Sequence, residues 1–142
     1  MTVVMDKLAL EQFLAEHFEQ VAADFVVDEV RTDGLRVRLL SRDRHLRPGG
    51  TISGPAMFGL ADVGVYLAIL SRIGPEALSV TTNCSIDFMR KPVAGVDVVA
   101  EVTLLKLGRV LAVGNVLLYS DGSPDPVARA TLTYSIPPKS MG

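Results

Sequence analysis

One stretch of the chain, residues 55–72, is apolar around its whole helical circumference rather than along one stripe. Its large hydrophobic residues are Met57, Phe58, Leu60, Val63, Val65, Tyr66, Leu67, Ile69 and Leu70. A helix of this kind has to be enclosed on all sides. Its most apolar part, residues 56–70, is shorter than the roughly 20 residues that a membrane helix needs, and it contains Asp62. We therefore predict a helix buried inside a protein core and no membrane span.

The segments around this helix have the composition of β-strands. Residues 25–30 and 35–40 flank a turn whose Asp33-Gly34 pair accepts positive φ, which predicts a first hairpin. Four more strand-like segments follow the helix, at about residues 79–89, 97–107, 110–120 and 126–136. Because short connections pair sequential strands antiparallel, we predict an α+β fold with a curved antiparallel sheet wrapped around one long central helix.

The chain length of 142 residues predicts a single domain, 1–142. An amphipathic pattern over residues 6–18 predicts a short N-terminal helix beside a core of about 25–137. The only cysteine, Cys84, alternates with Ile86 and Phe88 and is expected in the core. The N-terminal residues lack a basic segment followed by a long apolar one, so a cytoplasmic location is expected.

Charge and composition exclude several classes of function. Fourteen Lys and Arg balance sixteen Asp and Glu, and no basic block is present, so nothing favours nucleic-acid binding. The two histidines, His17 and His45, are too few for a His-rich metal site and are expected to be solvated surface groups. The sequence therefore predicts no metal.

Asp62 is the only carboxylate between Asp43 and Glu76 and lies in the otherwise apolar helix. Burial of a carboxylate costs several kcal/mol unless hydrogen bonds or charges compensate it. Two interpretations stand equally: a catalytic group, or an Asp that faces a polar cavity or bonds to nearby backbone.

The segment before the helix predicts where the helix begins. Ser53 or Gly54 suits the cap, and Pro55 suits the first turn. The free N–H groups of this helix terminus then lie about two turns before Asp62, where they stabilise an oxyanion or phosphate, or serve only as an ordinary cap.

The order of elements and these residues resemble the hotdog-fold thioesterase superfamily, and within it the PaaI-like branch of acyl-CoA thioesterases. That family's pattern is Asn, two residues, Gly, two residues, His-Gly-Gly, and a helix with Asp or Glu eight residues after the first Gly of the pair. The corresponding residues here are Arg47, Gly50, Ser53-Gly54-Pro55 and Asp62. The Gly54 to Asp62 spacing matches, whereas Arg47 and Ser53 replace the Asn and the His that flank the thioester.

The resemblance implies hydrolysis of an acyl-CoA thioester to free acid and CoA. The Gly54 N–H polarises the carbonyl, and Asp62 acts as general base or nucleophile. Coenzyme A is part of the substrate, and no other cofactor is implied. Thr82 corresponds to the family's Ser or Thr that orients the attacking water; Thr81 is the alternative, and threonine is also common in strands for its β-propensity.

The resemblance also suggests substrate-binding positions in the loops. Arg90, Lys91 and Arg109, the last after Gly108, are placed to contact CoA phosphates; each is equally explained as an exposed charge at a strand end. Arg47 is a hypothetical partner for an acidic acyl group or a phosphate.

The resemblance also predicts an oligomeric assembly, and two functions other than thioester hydrolysis remain as alternatives. The family forms dimers whose sheets join edge to edge with both sites at the interface, and often tetramers. A non-catalytic protein that binds acyl-CoA or another acyl ligand is the main alternative to an enzyme. A hydratase ranks lower, because no histidine lies beside Asp62 in the sequence.

Overall fold

The computed structural model describes residues 2–138 of the chain. In chain order its elements are α1 (Lys7–His17), α2 (Glu19–Ala22), β1 (Phe25–Arg31), β2 (Gly34–Leu39), a 3-10 turn (Asp43–His45), α3 (Gly54–Ile73), β3 (Val80–Phe88), β4 (Val98–Leu107), β5 (Leu111–Ser120) and β6 (Pro126–Ser135). The strands form one antiparallel sheet in the order β1-β2-β4-β5-β6-β3, against which α3 packs. The predicted α+β architecture, with a long central helix and a short N-terminal one, is confirmed.

Helix α3 begins and ends at residues suited to those positions. The Ser53 side chain accepts a hydrogen bond from the Ala56 N–H at 3.2 Å, and Pro55 lies in the first turn. Gly74, with φ of 94°, ends the helix and donates its N–H to the Leu70 carbonyl oxygen at 2.9 Å. By length and composition alone α3 qualifies as a membrane span, but 67% of its most apolar 18-residue window is buried inside the protein.

Two glycines allow α3 and the sheet to approach each other closely. A Cβ on Gly64 would lie 2.9 Å from Cγ2 of Val102, and a Cβ on Gly114 would lie 2.8 Å from Cγ2 of Val65. Carbon atoms in good contact are about 3.5–4.0 Å apart, so neither position accommodates a side chain without displacing a neighbour.

We expect opposite effects from two Gly→Ala substitutions in α3. Gly64→Ala should lower the free energy of unfolding by about 1–3 kcal/mol, because the methyl group overpacks the interface with β4. Gly59→Ala should raise it by about 0.5–1 kcal/mol, because nothing lies within 4 Å of the added Cβ and Ala favours the helix. Denaturant unfolding measures both, and a Gly64→Ala protein as stable as wild type would contradict the packing described.

The position of β3 differs from the sequence-based prediction. The short-connection rule placed β3 beside β4, but β3 pairs with β6 at the edge of the sheet and β4 pairs with β2. The segment 89–97, with Gly95 at φ 82°, is long enough to cross from the edge to the centre of the sheet. Only turns of two to five residues require neighbouring strands to pair.

Gly34 also has a different role from the one predicted. The turn residues are Thr32 and Asp33, and Gly34 begins β2 without positive φ. A Cβ on Gly34 would overlap the carbonyl oxygen of Val102 on β4. The glycine therefore permits close approach of two strands rather than a left-handed turn conformation.

Candidate active site

Asp62 lies on α3 at the boundary between the core and a pocket. It is half-buried, between the buried residues Ala61 and Val63. The Thr81 hydroxyl donates to Asp62 Oδ1 at 2.5 Å, and the Tyr134 hydroxyl lies 2.7 Å from the same oxygen and 3.0 Å from the Asp62 main-chain oxygen. Among the described residues, Oδ2 receives no hydrogen bond. One carboxylate oxygen is held and the other is available for chemistry.

A pocket of about 630 Å³ opens beside Asp62. Its lining comes from the α1–α2 region, from α3, from β3 and the segment leading into it, and from β6. Phe18 packs edge-on against Tyr66 with ring centroids 6.3 Å apart. The full lining is His17, Phe18, Gln20, Val21, Gly59, Asp62, Val63, Tyr66, Ala77, Ser79, Val80, Thr81 and Tyr134. The walls are largely apolar and aromatic, which suits an acyl group.

Burial and the charge of Asp62 act on the titratable groups around it. Burial, and after it the negative charge of Asp62, raises the pKa of Tyr134 far above its ordinary value. The same two causes, in the same order, raise the pKa of the Cys84 thiol, and burial raises the pKa of Tyr66. Tyr134 therefore stays protonated at neutral pH and remains a hydrogen-bond donor.

A β-bulge decides which threonine reaches Asp62. The register of β3 against β6 shifts between Thr81 and Asn83, so that Thr82 is an extra residue. Its hydroxyl faces the Thr133 carbonyl oxygen at 3.3 Å and the residue is exposed. The structure thus places Thr81, the alternative, beside Asp62 in place of Thr82. Bulges of this kind re-aim side chains near active sites.

The beginning of α3 forms a second polar site. The Ala56 N–H donates to Ser53 Oγ and the Met57 N–H donates to Ser53 O, while Pro55 has no N–H. Within the described part of the chain, the Gly54 N–H makes no hydrogen bond. The positive end of the helix dipole therefore presents one free donor, at Gly54.

The loop that leads to this helix is held by a buried His–Asp pair. His45 Nε2 lies 3.4 Å from Asp24 Oδ2, and His45 Nδ1 accepts the Arg42 N–H at 3.2 Å. The Ser53 N–H donates to the His45 carbonyl oxygen at 2.8 Å, and Arg44 also pairs with Asp24. The expectation that His45 is a solvated surface group was wrong: it is 8% exposed and fixes the loop that positions Gly54.

A basic groove of about 390 Å³ surrounds the helix start. It brings together four of the predicted site residues, Gly54, Arg47, Arg90 and Lys91, over an apolar base that includes Met57 and Phe88. The three cations are exposed. Such a groove can bind an anionic group at its rim and an apolar arm along its base.

Gly108 and Arg109 lie apart from that groove. They form the β4–β5 turn, where the Gly108 N–H donates to the Leu111 carbonyl oxygen at 2.9 Å. Leu111 pairs with Ser135, which also pairs with Val80, so this turn is at the Val80 end of β3. Arg90 follows the other end, about 26 Å away along the strand.

Asp62 and the Gly54 N–H are also separate within one chain. Eight residues of α-helix place them about 12 Å apart along the axis, and they line different pockets. One thioester carbonyl cannot contact both groups of the same chain. In the described residues no cluster of three or more His, Cys, Asp or Glu side chains is placed to hold a metal ion.

Comparison with known proteins identifies the family. The family model of the thioesterase superfamily matches residues 49–126, whereas no curated protein matches the chain. The fold is similar to that of a candidate thioesterase from Silicibacter sp. TM1040, with 54% identity, a TM-score of 0.91, and coverage of 97% of this chain and 96% of that one.

Two further solved structures are similar over most of the chain. A mutant form of the phenylacetic acid degradation protein PaaI from Thermus thermophilus is 28% identical, with a TM-score of 0.71 and coverage of 84% and 99% of the two chains. A hypothetical thioesterase from Streptococcus pneumoniae, crystallised with coenzyme A, shares the fold at 17% identity, with a TM-score of 0.74 and coverage of 90% and 99%. The chain belongs to the hotdog-fold thioesterase superfamily and resembles its PaaI-like members.

Proposed function

We propose that the protein hydrolyses acyl-CoA thioesters to a free acid and CoA. The observation that carries the proposal is the state of Asp62: two hydroxyls hold its Oδ1 and leave Oδ2 free beside an apolar pocket. A carboxylate with one oxygen fixed and one available is suited to serve as a general base or nucleophile.

The active site is proposed to form between two copies of the chain. Helix α3 runs beside β3 in the opposite direction: a Cβ on Gly54 would lie 3.4 Å from the Phe88 ring, and Asp62 bonds to Thr81. Antiparallel pairing of β3 with β3 of a second copy sets the Phe88 end of one strand beside the Val80 end of the other. Asp62 of one copy then faces Gly54 of the other.

The free edge of the sheet supports this pairing. Strand β3 pairs only with β6 among the described residues and carries exposed apolar side chains near both ends, including Val80 (55% exposed) and Phe88 (52% exposed). An edge strand with apolar side chains is a template for another strand. A homodimer, or a tetramer of two such dimers, follows as the proposed assembly.

The basic groove is the proposed CoA site. The pantetheine arm lies between the two copies, and Arg47, Arg90 and Lys91 at the groove rim contact the phosphates. The second copy brings Gly108 and Arg109 to the same end of the interface. Coenzyme A bound to the hotdog neighbour from S. pneumoniae is consistent with this class of ligand.

The proposed reaction begins with the acyl group in the Asp62 pocket and the thioester carbonyl oxygen at the Gly54 N–H of the other copy. Asp62 Oδ2 takes a proton from a water molecule, whose oxygen attacks the carbonyl carbon. The tetrahedral oxyanion is stabilised by the Gly54 N–H and the helix dipole. The C–S bond then breaks, and the thiolate of CoA leaves and receives the proton. Direct attack by Oδ2 is the variant that passes through an anhydride.

A panel of short, medium, branched and aromatic acyl-CoAs, with thiol release measured, tests the function. We expect turnover of at least one class by wild type and only background rates with Asp62→Asn. Thermal stabilisation by acyl-CoA without thiol release would instead support the non-catalytic acyl-binding alternative. The reaction as proposed needs no cofactor besides the CoA of the substrate, and a cytoplasmic location suits the free thiol of Cys84.

Phe18 is expected to limit the size of the acyl group. It stands at the break between α1 and α2, is 37% exposed and closes the pocket against Tyr66. Phe18→Ala should raise kcat/KM for the bulkiest accepted acyl-CoA relative to the smallest by about tenfold. Leu8→Ala, on the exposed side of α1 and outside the pocket lining, is the control. If Phe18→Ala leaves the ratio of these two kcat/KM values unchanged, the acyl group binds outside the Asp62 pocket.

A further inference from the structure

Tyr134, on the last strand β6, bonds to Asp62, and no motif in the sequence marks it as a site residue. It is 3% exposed, and its hydroxyl lies 2.7 Å from Asp62 Oδ1. We infer that Tyr134 is a positioning residue that fixes Asp62 with Oδ2 turned toward the thioester. This inference rests on the proposed function.

The geometry explains how one hydroxyl can set the direction of the carboxylate. Thr81 and Tyr134 reach the same oxygen from two different strands, β3 and β6, which are paired at these two residues. Two donors on Oδ1 oppose rotation of the carboxylate about its Cβ–Cγ bond. Thr81 stands next to the β-bulge on the edge strand, whereas Tyr134 belongs to an inner strand packed against α3. Tyr134 is therefore the more firmly held of the two donors.

The Tyr134 ring is also held in place from the pocket side. It packs against Tyr66 with ring centroids 6.1 Å apart, and Tyr66 itself donates to the Ala77 carbonyl oxygen at 3.0 Å. The Tyr134 hydroxyl has one proton and two acceptors on Asp62, of which Oδ1 is nearer than the main-chain oxygen. A rigid ring with a single short donor bond to the carboxylate is suited to orientation rather than to proton transfer.

The groups that face Asp62 come from four elements. Tyr134 is on β6, Tyr66 on α3, Cys84 on β3, and His17 at the end of α1 lines the same pocket. Histidine is the side chain that ordinarily changes charge near neutral pH. Any pH effect assigned to Tyr134 therefore has to be measured both with His17 present and in a His17→Gln background.

The test is Tyr134→Phe, which removes only the hydroxyl. We expect kcat to fall about tenfold with little change in KM, because a hydrogen bond to a charged group is lost. A carboxylate that loses a donor takes up a proton more readily, so the acid limb of the pH profile should move to higher pH. The shift should persist in the His17→Gln background. Tyr119→Phe, on the outer face of β5 with no contact to Asp62, is the matched control.

A second measurement does not depend on activity. In protein labelled with ¹³C at Asp Cγ, the pH of half-change of the Asp62 resonance should rise in Tyr134→Phe and in Thr81→Val but not in Tyr119→Phe. An unchanged titration and an unchanged pH profile in Tyr134→Phe would overturn the inference, even with Asp62→Asn inactive. Wild type inactive on every acyl-CoA would overturn the proposed function, and the role in catalysis would fall with it.

Discussion

Replacement of Asp62 by Asn is expected to lower kcat about a thousandfold on every acyl-CoA that the wild type hydrolyses. The amide has the shape of the carboxylate, and its oxygen still accepts the hydrogen bonds of Thr81 and Tyr134 at the Oδ1 position. At the Oδ2 position it presents an NH₂ group, which neither takes a proton from water nor attacks a carbonyl. The substitution thus removes the chemistry and keeps the packing.

Thermal unfolding separates the loss of chemistry from a loss of structure. The Asp62→Asn protein should unfold at or above the wild-type temperature, because it no longer holds a carboxylate in a half-buried site. Asp125→Asn, an exposed position in the β5–β6 turn, is the matched control and should keep wild-type kcat. Equal rates for Asp62→Asn and wild type would remove Asp62 from the mechanism.

The second large effect is expected at Gly54. A Cβ there would lie 3.4 Å from the Phe88 ring, which is ordinary contact, so Gly54→Ala should fold and keep most of the activity. The two methyl groups of Gly54→Val extend from that Cβ toward the basic groove, where the proposed reaction requires the carbonyl oxygen to reach the Gly54 N–H. We expect kcat to fall about a hundredfold, because misplacement of the carbonyl by 1 Å is enough for such a loss.

The comparison of the two Gly54 variants distinguishes an oxyanion site from a plain helix cap. A cap depends on Ser53, whose side chain and carbonyl bond to Ala56 and Met57, and neither substitution at Gly54 removes those bonds. Steady-state kinetics on the same acyl-CoA should therefore show a much lower kcat for Gly54→Val than for Gly54→Ala. The two variants should unfold at similar temperatures. Wild-type kcat in Gly54→Val would exclude the helix start from the reaction.

Apolar patterns and capping residues in the sequence predicted most of the helices and strands of the fold. Helix α3 was readable because Ser53, Pro55 and Gly74 occupy the positions that end-capping requires and because its apolar residues cover every face. The order of the strands in the sheet could be predicted only in part. The connection between β3 and β4 is long enough to leave their pairing open, and burial of β6 between two neighbours depends on the whole sheet.

The parts of the candidate site that lie on a single element could be predicted, because residue spacing along that element determines their relative positions. Gly54 and Asp62 stand on one helix, so their relation followed from eight residues of sequence. The choice between Thr81 and Thr82 could not be predicted from the sequence. Strand alternation from Cys84, Ile86 and Phe88 points to Thr82, but the bulge turns Thr81 toward Asp62 instead. Tyr134 lies 72 residues from Asp62 in the chain, and only the pairing of β3 with β6 brings it there.

Subunit complementation tests the central claim, a thioesterase site built from Asp62 of one copy and Gly54 of another. Asp62→Asn and Gly54→Val proteins, each carrying a different tag, are unfolded together, refolded as a mixture, and the doubly tagged hybrids quantified. A hybrid dimer has one site with both native residues and one site with neither. An equal mixture should therefore recover about a quarter of the wild-type activity, since half of the dimers are hybrids with one working site. Hybrids that form and remain inactive would contradict the shared site.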